Sequence, residues 1–225
     1  MNLLDIVGPV MVGPSSSHTA GACKIGNIGR KLFGEPIRRA DIYLHGSFLS
    51  TGKGHGTDRA LVAGLLGFGV GDIRIPQSCG IAEERGMEFH FYGIDLGDVH
   101  PNSVKMILKG EDGRQLEMCA SSIGGGRIKV NQIDDLEVNF SGDYPTLIVR
   151  NVDEPGLVKK VTDFLQENAV NIAAMELKRK TRGGHAVMIL ECDEELTEEL
   201  LQKIRSAEGV LQVTYLSLKE EKEDV

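Results

Sequence analysis

The chain has 225 residues, 41% hydrophobic and 26% charged, a size for one large domain or two small ones. Its net charge of −8 argues against non-specific nucleic-acid binding, because a polyanion repels a second polyanion. No apolar run approaches the ~20 residues of a membrane span, and "MNLLDIVG" has no basic n-region, so the expectation is a cytoplasmic protein that meets neither nucleic acid nor membrane.

The first segment of interest is "GPSSSHTAG", Gly13 to Gly21, ahead of a helix whose apolar face is Ala22, Ile25, Leu32 and Phe33 and whose stop is Gly34. Ser17 or Thr19 is the expected N-cap. One capping hydroxyl does not need Ser15, Ser16, Ser17 and Thr19 together. The excess leaves two readings, a capped loop or an anion pocket with His18 standing in it. The design recurs in "GSFLSTGKGHGTDRALVAGLLG", read as a glycine-rich turn, Gly52 to Gly56, before a helix from Asp58 with Leu61, Leu65 and Leu66 on its apolar face. It is not a P-loop, because Gly54 follows Lys53 where Ser or Thr is required, and its glycine spacing is not the dinucleotide fingerprint. Glycines on both sides of His55 leave its imidazole unshielded, which suits an acid–base group. In the strand-like "MEFHFYGI", alternation places Met87, Phe89 and Phe91 on one face and His90 on the solvent face; His45, at a strand end, is read the same way. His100-Pro101-Asn102-Ser103 forms a third polar turn. "SSIGGGRI" ends in a run that is either a hairpin bend or an anion-holding nest. Cys23, Cys79, Cys119 and Cys192 are widely spaced, with no C-x-x-C pair to suggest a zinc site or a self-contained iron–sulfur cluster.

Glycine becomes scarce after residue 130, and Ser141-Gly142-Asp143 with Pro145 marks a boundary between a first domain over 1–140 and a second over 145–219. The second is legible in order. "TLIVRNV" is a strand, Asp153-Glu154-Pro155-Gly156 a turn, and Leu157, Val158, Val161, Phe164 and Leu165 one face of a helix. "NIAAMELKRK" and "HAVMILECD" are strands joined by a turn at Arg182-Gly183-Gly184. Thr197 caps a helix with Leu196 and Leu201 as its staple, Gly209 stops it, and "VLQVTYLSL" closes the set. The sum is βαββαβ, a ferredoxin-like plan, within an α+β chain. "KEEKEDV" ends in a solvated acidic tail, residues 220–225.

That order, with a D-E-P-G turn after the first strand, resembles the ACT domain, a module that binds small ligands, commonly amino acids, where two copies meet. The resemblance implies a homodimer and effector contacts at Asn151, Gly156, Leu157, Asn171 and Ile172. A pure assembly module is the other reading. "GPSSSHT", "TGKGHGTD", "HPN" and "SIGGG" in this order resemble the β chains of bacterial two-chain, iron–sulfur-dependent L-serine dehydratases. The N-terminal part is similar to their mixed α+β serine-dehydratase β, or allosteric substrate-binding, domain. The resemblance implies conversion of L-serine to pyruvate and ammonia, with a [4Fe-4S] cluster bound by a partner α chain and no metal ligand here. It implies catalytic roles for His55, His18 and His100, with His55 as base. Ser15, Ser16, Ser17, Lys53 and Asn102 are the expected substrate contacts. Domains of this kind in phosphoglycerate dehydrogenases are regulatory, which leaves a second reading: an amino-acid-binding regulatory subunit with no catalytic residues.

Overall fold

The computed structural model describes residues 10–217. The acidic end and "MNLLDIVG" lie outside the described residues. The chain divides into two compact units, Met1–Asp135 and Leu136–Val225.

In the first unit a π-helical turn, Ser16–Gly21, runs straight into α1, Ala22–Phe33. Then follow β1 (Arg39–Leu44), α2 (Gly46–His55), α3 (Thr57–Leu65), α4 (Ser78–Glu84), β2 (Glu88–Gly93), β3 (Ser103–Lys109), β4 (Gln115–Gly124) and β5 (Arg127–Ile133). The strands lie in the order β2-β1-β3-β4-β5. β1 and β2 are parallel, as a helical crossover requires, and the remaining pairs are antiparallel. Ala40, Ile42 and Leu44 of β1, Val104, Met106 and Leu108 of β3, and Met118 and Ala120 of β4 are buried and, by their spacing of two, share one face of the sheet. They share the core with Ile25, Leu32 and Phe33 of α1. Burying each of the Val, Leu, Ile, Met and Phe side chains among them stabilises the fold by about 1.5–3 kcal/mol, before the cost of ordering it.

Helices α1 and α3 cross at glycines. A Cβ on Gly64 would lie 2.1 Å from the Cys23 carbonyl oxygen, and one on Gly26 would lie 2.3 Å from that of Leu61. Only hydrogen at these two Cα atoms allows the approach. The glycine run of "SSIGGGRI" makes the turn of the β4–β5 hairpin, the plainer of the two readings.

The second unit opens with β6 (Leu136–Phe140) and continues as β7 (Thr146–Val152), α5 (Leu157–Glu167), β8 (Ile172–Arg179), β9 (His185–Cys192), α6 (Glu198–Arg205) and β10 (Val210–Leu216). The sheet order β10-β7-β9-β8 is antiparallel throughout, which is the ferredoxin-like arrangement. Leu147 and Val149 of β7 and Met188 and Leu190 of β9 pack with Val161, Leu165, Leu200, Leu201 and Ile204 of the two helices. Thr197 accepts the Leu200 N–H at 3.3 Å, the expected cap, and Leu196 and Leu201 are buried beside it. Val158, expected on the buried face of α5, is 37% exposed. It follows Leu157 directly, and one residue turns a helix by about 100°.

Candidate active site

Two expectations about the first loops are corrected by the fold. The N-cap is Ser15, not Ser17 or Thr19: its Oγ accepts the His18 N–H at 3.1 Å, because the π-helical turn starts the helix earlier than the apolar periodicity shows. Gly52 to His55 is not a loose turn but the last turn of α2, closed by Gly56 in the left-handed conformation at φ +69°. Three glycines in ten residues make a poor helix by propensity. Tertiary contacts outweigh that cost. Phe48 is fully buried, the Ser47 N–H bonds the Pro101 carbonyl at 2.8 Å, and Thr19 Oγ1 donates to the His55 carbonyl at 3.0 Å.

This last bond brings the two histidine segments together, and a second one reciprocates it. Thr57 Oγ1 donates to the His18 carbonyl at 3.0 Å. Thr19 and Thr57 are both buried, so each histidine backbone is held by a threonine from the other segment. The imidazoles end with ring centroids 4.9 Å apart, and the edge of His18 meets the Phe48 ring at 5.4 Å.

The surroundings of the two rings differ. His55 Nδ1 lies 3.0 Å from the Thr51 carbonyl oxygen, which can only accept, so Nδ1 carries the proton. In the neutral ring the lone pair is then on Nε2. A Cβ at Gly54 or Gly56 would meet nothing within 4 Å, so no neighbouring side chain screens this ring from the flanking positions. His18 is held at both nitrogens. Nε2 meets Ser47 Oγ at 3.0 Å and Thr51 Oγ1 at 3.1 Å, and Nδ1 meets Ser17 Oγ at 3.3 Å. Burial pushes the His18 pKa below its ordinary 6.5; the nearby His55 adds to this, and a hydrogen bond with Ser47 partly opposes it. A histidine whose folded pKa is lowered contributes stability that is present above the unfolded pKa and lost as pH falls through the folded one. Acidification below 6.5 is therefore expected to weaken the first unit, and His18→Gln to flatten that dependence in urea titrations across pH.

The other predicted residues are distributed unevenly. Ser15 Oγ lies 3.4 Å from Ser17 Oγ, so the serine run forms one hydroxyl chain ending on His18. Ser16 is half-buried beside it, and Lys53 is exposed on α2. The amides of Ser16 and Ser17 open the turn and have no earlier helical carbonyl to reach. His100 is exposed, and its Nδ1 accepts the Asn102 N–H at 3.1 Å. Asn102 returns its carbonyl to the Ser122 N–H of β4 at 2.9 Å, while the Pro101 carbonyl before it takes the Ser47 N–H at the start of α2 at 2.8 Å. His90 is exposed, as its strand alternation predicts. His45 is not: its side chain is 14% exposed and Nδ1 accepts the Leu96 N–H at 3.1 Å, because the strand ends there and the chain folds back over it. Ser47, Thr51 and Thr57 were not singled out from the sequence. The i, i+4 spacing of Ser47 and Thr51 was available as a signal, but only with α2 recognised as a helix.

In the second unit Asn151 is buried, and its Nδ2 donates to the Val152 carbonyl at 2.7 Å while Oδ1 is buried without a partner among the described residues. Gly156, at φ +94°, opens α5, and Leu157 is buried behind it. Ile172, half-buried, starts β8. The Asn171 N–H and side-chain amide are held by Glu194 and Asp193 at 2.7 and 2.6 Å.

The cysteines of this chain do not suit an iron–sulfur cluster. Burial raises the thiol pKa of all four, to about 12 at Cys23 and about 11 at Cys119 and Cys192, so none is a ready nucleophile. Among the described residues, no group of three or more His, Cys, Asp or Glu is placed to hold a metal ion. No helix among them is long and apolar enough to cross a membrane.

Residues 3–86 match the family model described as serine dehydratase beta chain, and residues 145–209 match that of the ACT domain. The L-serine dehydratase beta chain of Peptoniphilus asaccharolyticus is 38% identical over 215 residues, 95% of this chain and 97% of that one. A probable L-serine dehydratase beta chain of Bacillus subtilis is 39% identical over 216 residues, 96% of this chain and 98% of that one. A D-3-phosphoglycerate dehydrogenase of Methanocaldococcus jannaschii is 25% identical over 195 residues, 86% of this chain but 36% of that enzyme. With both relatives covered nearly end to end, and both family models met in order, the chain belongs to the L-serine dehydratase beta-chain family.

Proposed function

We propose that this chain is the β subunit of a cytoplasmic L-serine dehydratase, forming pyruvate and ammonia from L-serine together with an α subunit that carries a [4Fe-4S] cluster. The observation that carries this reading is the paired imidazoles, with His55 held through Nδ1 and its Nε2 without a hydrogen bond among the described residues, and both nitrogens of His18 engaged. His55 Nε2 takes the proton from Cα of serine. The β-hydroxyl departs as water with the proton returned from His55, leaving aminoacrylate, which tautomerises to the imine and is hydrolysed to pyruvate and ammonia. His18 orients His55 and the serine hydroxyls. The opening amides of the π-helical turn, with Ser15, Ser16, Ser17 and Lys53, receive the substrate carboxylate. His100, whose Nδ1 accepts a backbone N–H, bears its proton on Nε2 when neutral and acts as a donor, with Asn102 beside it. The cluster is assigned to the partner, because the thiols of this chain do not fit it. Anaerobic co-expression tests the reading: pyruvate should form from L-serine when both chains are present. An α chain equally active alone would sink it.

The second unit is assigned as the effector module and as the site of homodimer formation. The orphan Oδ1 of Asn151 and the N-terminus of α5 at Gly156 suit the ammonium and carboxylate of an amino acid, L-serine being the natural effector. Leu157 and Ile172 supply apolar contact; Asn171 donates to a ligand through Nδ2 only by releasing Asp193. A purely regulatory subunit is the second reading, favoured by the similarity to D-3-phosphoglycerate dehydrogenases over 86% of this chain.

A further inference from the structure

We propose that Thr51 is a positioning residue whose hydroxyl fixes His18 in the Nε2–H tautomer, so that the lone pair of His18 faces Ser17 and the uncommitted imidazole nitrogen of the pair is Nε2 of His55.

The argument is an accounting of protons. The Thr51 hydroxyl has one, and it lies 2.9 Å from the Ser47 carbonyl oxygen, which can only accept. That leaves Thr51 Oγ1 an acceptor toward its other two neighbours, Ser47 Oγ at 3.2 Å and His18 Nε2 at 3.1 Å. If His18 carries its proton on Nε2, that proton serves Ser47 Oγ and Thr51 Oγ1, and the Ser47 hydroxyl donates to Thr51 Oγ1. Each close contact then contains a proton. On the other side Nδ1 accepts from the Ser17 hydroxyl, which in turn accepts from Ser15. If the proton were on Nδ1, the Ser47 hydroxyl would have to turn to His18. The contacts of Thr51 Oγ1 with Ser47 Oγ and His18 Nε2 would then each press two lone pairs together. Thr51 breaks the tie because its own proton is committed along the helix. Its carbonyl meanwhile holds the His55 proton on Nδ1, so one residue orders both rings.

The assignment rests on the base role proposed for His55 only for its consequence in catalysis, and the test separates the two. In the full-length chain with 15N-labelled histidine, long-range proton–nitrogen correlation should show a protonated Nε2 and a bare Nδ1 at His18. Thr51→Val keeps the shape, removes the hydroxyl, and should move the His18 proton to Nδ1. Thr51→Ala repeats the test should the β-branched replacement fail to fold. Thr51→Ser should restore the original pattern, and Ser47→Ala should leave it, because Thr51 Oγ1 still accepts. An unchanged His18 pattern in the folded Thr51→Val or Thr51→Ala chain overturns the proposal. In the assembled α–β enzyme, Thr51→Val should lower kcat at least about tenfold, as wrong-tautomer variants do elsewhere, with Thr51→Ser recovering it. A moved proton with unaltered kcat upholds the tautomer assignment and counts instead against His55 as the base.

Discussion

In the assembled α–β enzyme, His55→Gln should lower kcat for L-serine by about 10²–10⁴ while KM changes little. Glutamine suits the test because its side-chain amide can donate to the Thr51 carbonyl as His55 Nδ1–H does, 3.0 Å away in the native chain. What glutamine lacks is a lone pair basic enough to take a proton from Cα. The loss should fall on kcat because proton abstraction belongs to the transition state, whereas the carboxylate contacts are assigned to the serine turn and Lys53. Steady-state kinetics decide the matter. A near-native maximal rate with a shifted serine dependence would favour the regulatory reading instead, in which the paired rings only sense an amino acid.

The second large effect is structural. Gly64→Ala should destabilise the first unit by about 3 kcal/mol, at the high end of overpacking costs. The added Cβ would lie 2.1 Å from the Cys23 carbonyl oxygen and 2.7 Å from the Asn27 nitrogen, both backbone atoms that no rotamer change can move aside. Helices α1 and α3 would have to separate, and the reciprocal Thr19 and Thr57 bonds link the turn that leads into α1 to the segment that leads into α3. The urea midpoint of that unit should fall at similar slope. Gly54→Ala is the matched control, since its Cβ meets open space; there the same change should be neutral or stabilising by up to about 1 kcal/mol. Equal midpoints for the two variants would refute the packing argument.

The second unit was legible in its sequence almost element by element. Its central strands are runs of β-branched and apolar residues, its helices carry one apolar face, and Gly156, Thr197 and Gly209 mark their limits with local chemistry. Each signal spans a few residues, so no distant contact is needed to read it. The misread residue, Val158, sits beside a buried one on a helix, where burial depends on the partner surface.

The first unit shows the opposite case. Composition alone argues for a turn at Gly52 to Gly56, and propensity agrees. The segment is nevertheless helical, because Phe48 fills the core and because Pro101 and Thr19, both distant in sequence, take up its terminal backbone groups. His45 was misjudged for the same reason. Its burial depends on Leu96, 51 residues later.

By itself, the sequence determined which chemical groups this protein owns and which segments carry them: the serine run, His18, His55 between glycines, and the ferredoxin-like order. Local propensity and side-chain chemistry are properties of neighbours along the chain. Which imidazole is held at one nitrogen and which at both was decided only by the tertiary structure. A hydrogen bond needs its partner within about 3 Å, and the partners that set these two rings apart, Ser47, Thr51 and the reciprocal threonines, reach them only after α1, α2 and α3 have packed.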